Sequence, residues 1–230
     1  MSNFTTWRSL VDGEEIVGIP DSVVAQYDAT EEDSTGSISS IDDLIGSFDL
    51  SGTVEVISNG INGLKTYRFD GVDDLMQQDS TMASEEPFAI IAVVEQQEDF
   101  DSNKDIWDGV PDENFQLQDN GIGNTYNIRR DGSGYDENIE AEDDPSEPQI
   151  LETHGIEGGG MELYQNGIFL GEDGSGDSDL DGLTLAADGA GDGNIEMDFG
   201  EVVVLEGFSD SDIQSERERL SDKWGTPDPT

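Results

Sequence analysis

The feature that most constrains this chain is a hydrophobic period of two, interrupted about every eight to fifteen residues by clusters of Gly, Asn and Asp. Alternation at that spacing puts every second side chain on one face of a strand, and breaks so frequent leave little room for helices. The spacing predicts ten strands, over Thr53–Ile57, Thr66–Phe69, Phe88–Glu95, Asn114–Leu117, Thr125–Arg129, Met161–Tyr164, Ile168–Leu170, Gly182–Ala186, Asn194–Phe199 and Glu201–Leu205. The pattern is that of an all-β sandwich or barrel, and ten strands suit two packed sheets. Asn166-Gly167, between two of these runs, is the strongest hairpin signal, because both residues tolerate the positive φ of a type I′ turn. Asp131–Pro148 and Gly171–Gly182 read as loops. One short helix is expected near the C-terminus, lying on the rim of the sandwich. It opens with the capping-box-like Ser209-Asp210-Ser211-Asp212, carries Ile213, Leu220 and Trp224, and closes on Gly225 and Pro227.

Charge decides what such a sandwich can meet. The 230 residues hold 9 Lys+Arg against 55 Asp+Glu, a net charge of −46. Phosphate backbones and anionic membranes are repelled by a surface of this sign, so neither nucleic acid nor membrane is an expected partner. The acids are spread over every segment rather than gathered in a tail, and the only lysines are Lys65, Lys104 and Lys223. That pattern points to molar salt, where a Debye length of about 3 Å mutes repulsion that would disrupt the domain in dilute buffer. Leu, Ile, Val and Phe still supply 54 of the 230 residues, enough for a core.

With no cysteine there is no disulfide framework, thiolate nucleophile or cysteine zinc site, and a lone His154 cannot build a multi-histidine centre. The longest apolar run, Phe88–Val94, is seven residues and too short to span a bilayer. Residues 1–20 show neither the basic nor the apolar region of a secretory signal.

Ile19-Pro20-Asp21-Ser22-Val23-Val24-Ala25-Gln26-Tyr27-Asp28-Ala29 resembles the opening of LamG-like, concanavalin A-type jelly-roll domains. Matches then follow in the family's order. Asn59–Lys65 with Arg68–Asp74 is similar to its NG-NG and R-F-D-G strand pair, and Phe88–Val94 to the buried strand after it. Glu162–Gly167 resembles its L-Y-x-N-G hairpin, and Gly200–Leu205, Ser209–Glu216 and Lys223–Gly225 its closing strand, helix and end. The resemblance covers about residues 19–225 and implies a concanavalin A-like jelly roll there, with 1–18 as an N-terminal arm and 226–230 as a tail. It implies little about activity, since the fold serves sugar binding, adhesion, calcium sites and glycoside hydrolysis alike. Domains of this kind occur in surface proteins and in virion proteins of tailed viruses.

Three sets of residues are candidates for chemistry. Glu196, Asp198 and Glu201 match the E-x-D-x-x-E strand of family-16 glucanases, in which two carboxylates about 5 to 5.5 Å apart perform retaining hydrolysis. In so acidic a chain that spacing arises readily by chance. Asp177, Asp179 and Asp181 followed by Gly182 have the D-x-D-x-D-G spacing of a calcium loop, with Asp188 at the twelfth position where such a loop carries a bidentate Glu. Calcium is accordingly the cofactor expected, against a plain solvated loop. Trp107, between Asp105 and Asp108, is a candidate to stack on a sugar ring, against rim packing. Trp224 reads as a core anchor, and the arm residues Phe4, Trp7, Leu10, Val11, Ile16 and Val17 read as a docking segment.

These features lead to a non-enzymatic virion structural or attachment protein of a virus infecting halophilic archaea. It is expected on the virion surface, on capsid or tail, in homo-oligomeric form with other virion proteins, made in the host cytoplasm without a signal peptide and touching host-surface glycoprotein or glycan. The alternatives are a cell-surface carbohydrate-binding or glycoside hydrolase domain of a haloarchaeon, and an intracellular interaction domain.

Overall fold

The computed structural model describes residues 19–97, 104–110, 115–119, 125–130, 136–157, 159–173 and 179–227. The arm 1–18, with Trp7, therefore lies outside the described residues, as do Asp177 and positions 228–230 of the tail.

Fifteen strands and one α-helix are found among the described residues: β1 (Val23–Asp28), β2 (Gly36–Ile41), β3 (Leu50–Ile57), β4 (Thr66–Asp70), β5 (Leu75–Gln78), β6 (Phe88–Gln96), β7 (Lys104–Asp108), β8 (Phe115–Asp119), β9 (Thr125–Arg130), β10 (Asp136–Glu140), β11 (Gln149–Gly155), β12 (Met161–Gln165), β13 (Ile168–Asp173), β14 (Leu183–Leu185), β15 (Glu196–Glu206) and α1 (Asp210–Trp224). The pairing runs β10-β9-β8-β7-β14-β5-β3-β4-β15-β6-β11-β12-β13, with β1 on β15 and β2 on β3. Every pair is antiparallel. The ribbon folds over at β15, whose first residues pair with β4 and whose later ones pair with β1. Two layers result, and they form the expected sandwich, closed nearly to a barrel.

The run Phe88–Val94 shows why the core has two compartments. Phe88, Ile90, Ala92 and Val94 enter the core between the layers, while Ala89, Ile91 and Val93 enter a second cluster with Ile213, Leu220 and Trp224 of α1. A strand buried on both faces must be apolar at every position, which is how this run reads. The helix thus covers the outside of one layer and is no rim element. Its ends follow the sequence: Ser209 N–H donates to Asp212 Oδ2 at 2.8 Å, and Gly225, at φ 67°, donates to the Ser221 carbonyl at 2.8 Å.

Asn166 and Gly167 have φ of 49° and 77°, the type I′ signature expected of the β12–β13 hairpin. The two strands expected on either side of Gly200 are one, β15, with the register against β6 shifting between Phe199 and Glu201. Gly200 sits where a Cβ would lie 2.7 Å from the Trp224 ring, so the missing side chain lets the tryptophan rest on the sheet. Two loop readings are corrected: β10 lies inside Asp131–Pro148, and β13 extends to Asp173. The spacing also missed β1, β2, β5, β7 and β11: β1, β5, β7 and β11 carry buried or half-buried polar residues that blur the alternation, and in β2 the adjacent exposed Ser39 and Ser40 break it.

Candidate functional site

β11 and β12 pair so that Glu152 lies opposite Tyr164 and His154 opposite Glu162. Strand alternation sends all four to the outer face, beside α1, while Thr153 points inward and accepts a hydrogen bond from Trp107 Nε1 at 3.1 Å. The helix completes the arrangement. Arg217 donates to Glu152 through Nε at 2.6 Å and Nη2 at 2.9 Å, and its guanidinium stands 5.2 Å from the centre of the Tyr164 ring. His154 Nε2 lies 3.1 Å from Glu152 Oε2. Burial alone would raise the Glu152 carboxyl, but hydrogen bonds from His154 and Arg217, with the Arg217 charge, hold it below the ordinary carboxylate range.

Aromatic rings line this surface in sequence. Phe208 meets His154 edge-on at 5.2 Å, His154 stacks on Tyr164 at 4.6 Å, and Phe169 meets Tyr164 edge-on at 5.5 Å. Phe208 precedes the helix cap and packs with Ile213 in the cluster under α1, the arrangement of a hydrophobic staple. An open groove of about 450 Å³ runs between the helix start and the sheet, with Pro87, His154, Tyr164, Phe208, Glu162 and Arg217 on its walls. Phe169 is 50% exposed at the hairpin beside it. Tyr164 donates its hydroxyl to Glu162 Oε2 at 2.8 Å; burial first, and that carboxylate second, raise its phenol. Aromatic faces beside carboxylates and a guanidinium can take a ligand that is apolar on one side and hydroxylated on the other.

The residues singled out in the sequence fall elsewhere. Trp107 is fully buried in β7, with its indole N–H spent on Thr153, so it is a core side chain and presents no ring to a sugar. Asp179 is exposed, and Asp181 accepts from Thr81 Oγ1 at 2.8 Å. Asp188 lies beyond the far end of β14 from Asp181, and its Oδ1 caps its own turn through the N–H groups of Ala190 and Asp192 at 2.9 and 2.8 Å. A strand thus stands between the spacing-matched aspartates and the twelfth position. Among the described residues, three carboxylates converge at the end of β4 and the turn after it, with Asp70, Asp73 and Asp74 oxygens within 4.8 Å of one another. Asp198 is held by Arg68 through two bonds of 2.7 Å. Glu201 is buried under α1, meeting Arg219, Lys223, Gln26 and Trp224.

No protein-family model and no curated protein matches the sequence. Solved structures match the fold. The Trypanosoma rangeli sialidase in complex with sialic acid is similar at 14% identity and a TM-score of 0.66, over 96% of this chain and 36% of that one. A botulinum neurotoxin serotype D binding domain is similar at 12% identity and a TM-score of 0.62, over 90% of this chain and 55% of that one. The serotype D ligand binding domain in complex with N-acetylneuraminic acid has 14% identity and a TM-score of 0.63, over 90% and 54% of the two chains. The present chain thus spans about a third to about half the length of these neighbours. What they establish is a shared β-sandwich, and the LamG-like assignment remains a resemblance in sequence order.

The groove residues were not singled out in the sequence, although two signals pointed to them. Phe208 stands just before a capping box, the staple position, and Tyr164 and Phe169 flank an Asn-Gly turn on alternating positions that face away from the core. Arg217 gave no signal, because 65 positions separate it from Glu152 and only the packing of α1 on β11 brings the two together; His154 follows Glu152 on the same face of β11, a strand the spacing does not reveal.

Proposed function

We propose that this chain is a non-enzymatic glycan-binding attachment module that uses the aromatic groove between α1 and β11–β12. The observation that carries this reading is the run Phe208–His154–Tyr164 along an open groove that also holds carboxylates and Arg217. Sugar rings pair an apolar face with a rim of hydroxyls, and such walls match both. Support for a sugar ligand in general comes too from sandwich neighbours solved in complex with sialic acid and N-acetylneuraminic acid. The non-enzymatic part rests on the carboxylates: Asp198 is engaged by Arg68, and Glu201 is closed beneath Trp224 and the helix cations.

The setting we propose is the capsid or tail surface of a virus of halophilic archaea, with host-surface glycoprotein as the target and homo-oligomeric copies supplying avidity. A net charge of −46 supports that setting through its fit to molar salt. A calcium ion on the Asp177, Asp179 and Asp181 spacing is a separate proposal, since Asp179 and Asp181 do not line the groove.

The test is binding of the full chain to haloarchaeal cells and to a glycan array in molar salt. Tyr164→Ala and Phe208→Ala should each weaken binding by about tenfold or more while retaining the β-sheet circular dichroism of the parent. Wild-type binding that survives both substitutions would place the ligand elsewhere.

A further inference from the structure

We infer that the groove selects sugars without a carboxylate, namely neutral hexoses and amino sugars, and discriminates against acidic ones; this rests on the glycan-binding reading above. Arg217 reaches the groove, but its Nε and Nη2 are already committed to Glu152 at 2.6 and 2.9 Å. Glu152 is fully buried and ionised, so this pair is neutral as seen by a ligand. Three further carboxylates, Glu157, Glu162 and Asp210, line the same walls. The remaining basic group is His154, itself hydrogen-bonded to Glu152. Even with His154 protonated, an incoming carboxylate meets more negative than positive charge.

Donors meet the opposite situation. Glu162 accepts only the Tyr164 hydroxyl, on Oε2, among the described residues, which leaves its other oxygen to receive a sugar hydroxyl or an ammonium. An ammonium also gains from the Phe208 ring, which attracts cations through its quadrupole. Molar salt does not remove the discrimination, since a Debye length of about 3 Å screens distant charges and leaves contact pairs in force. The exposed rim contributes in the same sense, with Glu157 and Asp210 both exposed beside the opening.

The experiment is titration calorimetry of the full chain in molar salt with four probes: lactose, 3′-sialyllactose, a glucosamine oligomer and an N-acetylglucosamine oligomer. Lactose is expected to bind at least about tenfold tighter than 3′-sialyllactose, and the glucosamine oligomer at least as well as its N-acetylated counterpart. Glu157→Gln combined with Glu162→Gln should weaken the glucosamine oligomer by about tenfold and narrow the gap between lactose and its sialylated form. Equal or tighter binding of 3′-sialyllactose would overturn the selectivity and leave the glycan-binding reading standing. Binding of none of the four probes, in a chain that retains its β-sheet circular dichroism, would overturn both.

Discussion

Two acid-rich regions share Asp28 at their border and are built in opposite ways. Beneath α1, Glu152, Glu201 and Glu216 are buried, and the helix brings a cation to each: Arg217 to Glu152, Arg219 to Glu201 and Glu216, and Lys223 to Glu201 and Asp28. Beside β2, Glu31, Glu32, Asp33 and Asp42 line an open groove of about 660 Å³, where Lys65 donates to the backbone carbonyl of Glu32 and to no carboxylate of the four. A chain with 9 basic residues has set three of them, each partly exposed, against carboxylates that are themselves buried, and left the surface acids to solvent and its ions. Such placement is what the physics favours, because an unpaired buried charge costs several kcal/mol, about 3 to 5 when one partner of a pair is lost, and an exposed one very little.

Loss of the buried carboxylate under α1 should have the greatest consequence. Glu201→Ala removes the partner of Arg219 and Lys223 and the acceptor of Gln26 and Trp224, and should destabilise the fold by about 3 to 5 kcal/mol in denaturant unfolding at molar salt. A loss below about 1 kcal/mol would show that solvent reaches the seam. Acid should reach the same contact in the wild type. Burial acts to raise the Glu201 carboxyl, but Arg219 and Lys223 outweigh it and lower it from 4.5 to about 2. Because the folded value is depressed, its contribution is present above the unfolded value and is lost as pH falls from about 4.5 towards about 2. Glu216 works in reverse: burial raises its carboxyl beyond what Arg219 offsets, so its ionised form opposes folding and protonation relieves it. Unfolding midpoints between about pH 2 and 6 should therefore fall more steeply with acid in Glu216→Gln than in the wild type.

A smaller effect sharpens the geometry of the seam. Gly200→Ala drives a Cβ to within 2.7 Å of the Trp224 ring and should cost about 1 to 3 kcal/mol, with a change in tryptophan fluorescence as the helix lifts. Stability unchanged by that methyl would mean that α1 shifts freely over β15.

The smallest effect belongs to the exposed acids. Asp70→Asn with Asp73→Asn keeps an oxygen for the Val72 N–H, which Asp70 Oδ1 holds at 2.9 Å, while removing two charges from the Asp70, Asp73 and Asp74 turn. In molar salt the change should stay within about 0.5 kcal/mol. Near 0.01 M salt, where the Debye length is about 30 Å, the same pair should stabilise the chain relative to the wild type. An equal response in both salts would remove the charge argument for molar salt.

Much of the scaffold is legible in the sequence. The doubly buried β6, the Asn166-Gly167 hairpin and the ends of α1 all rest on local signals: an unbroken apolar run, two residues that tolerate positive φ, and a capping box closed by Gly. β11 is not legible, because Glu152, Thr153 and His154 break its pattern: Glu152 and Thr153 find partners distant in sequence, Arg217 and Trp107, and His154 bonds to Glu152 and stacks on Tyr164 of the next strand. Trp107 was misread for the related reason that flanking aspartates signal exposure. Yet Asp105 and Asp108 are themselves buried, with Gln116 and Gln118 donating to Asp105 and the Phe115 and Gly189 amides to Asp108.

By itself the sequence determined the strand-rich sandwich, the closing helix and the sign of the surface, because periodicity, turn chemistry and net charge are properties of neighbours along the chain or of the whole composition. The tertiary structure alone decided which acids matter. Glu201 and Asp70 are both carboxylates beside a β-strand pattern, and nothing local separates them. Only the docking of α1 buries the first among cations and leaves the second in water, and the same docking sets Phe208 and Arg217 against His154 and Tyr164 to make the groove. Burial and long-range pairing depend on where separate elements meet, which no window of sequence contains.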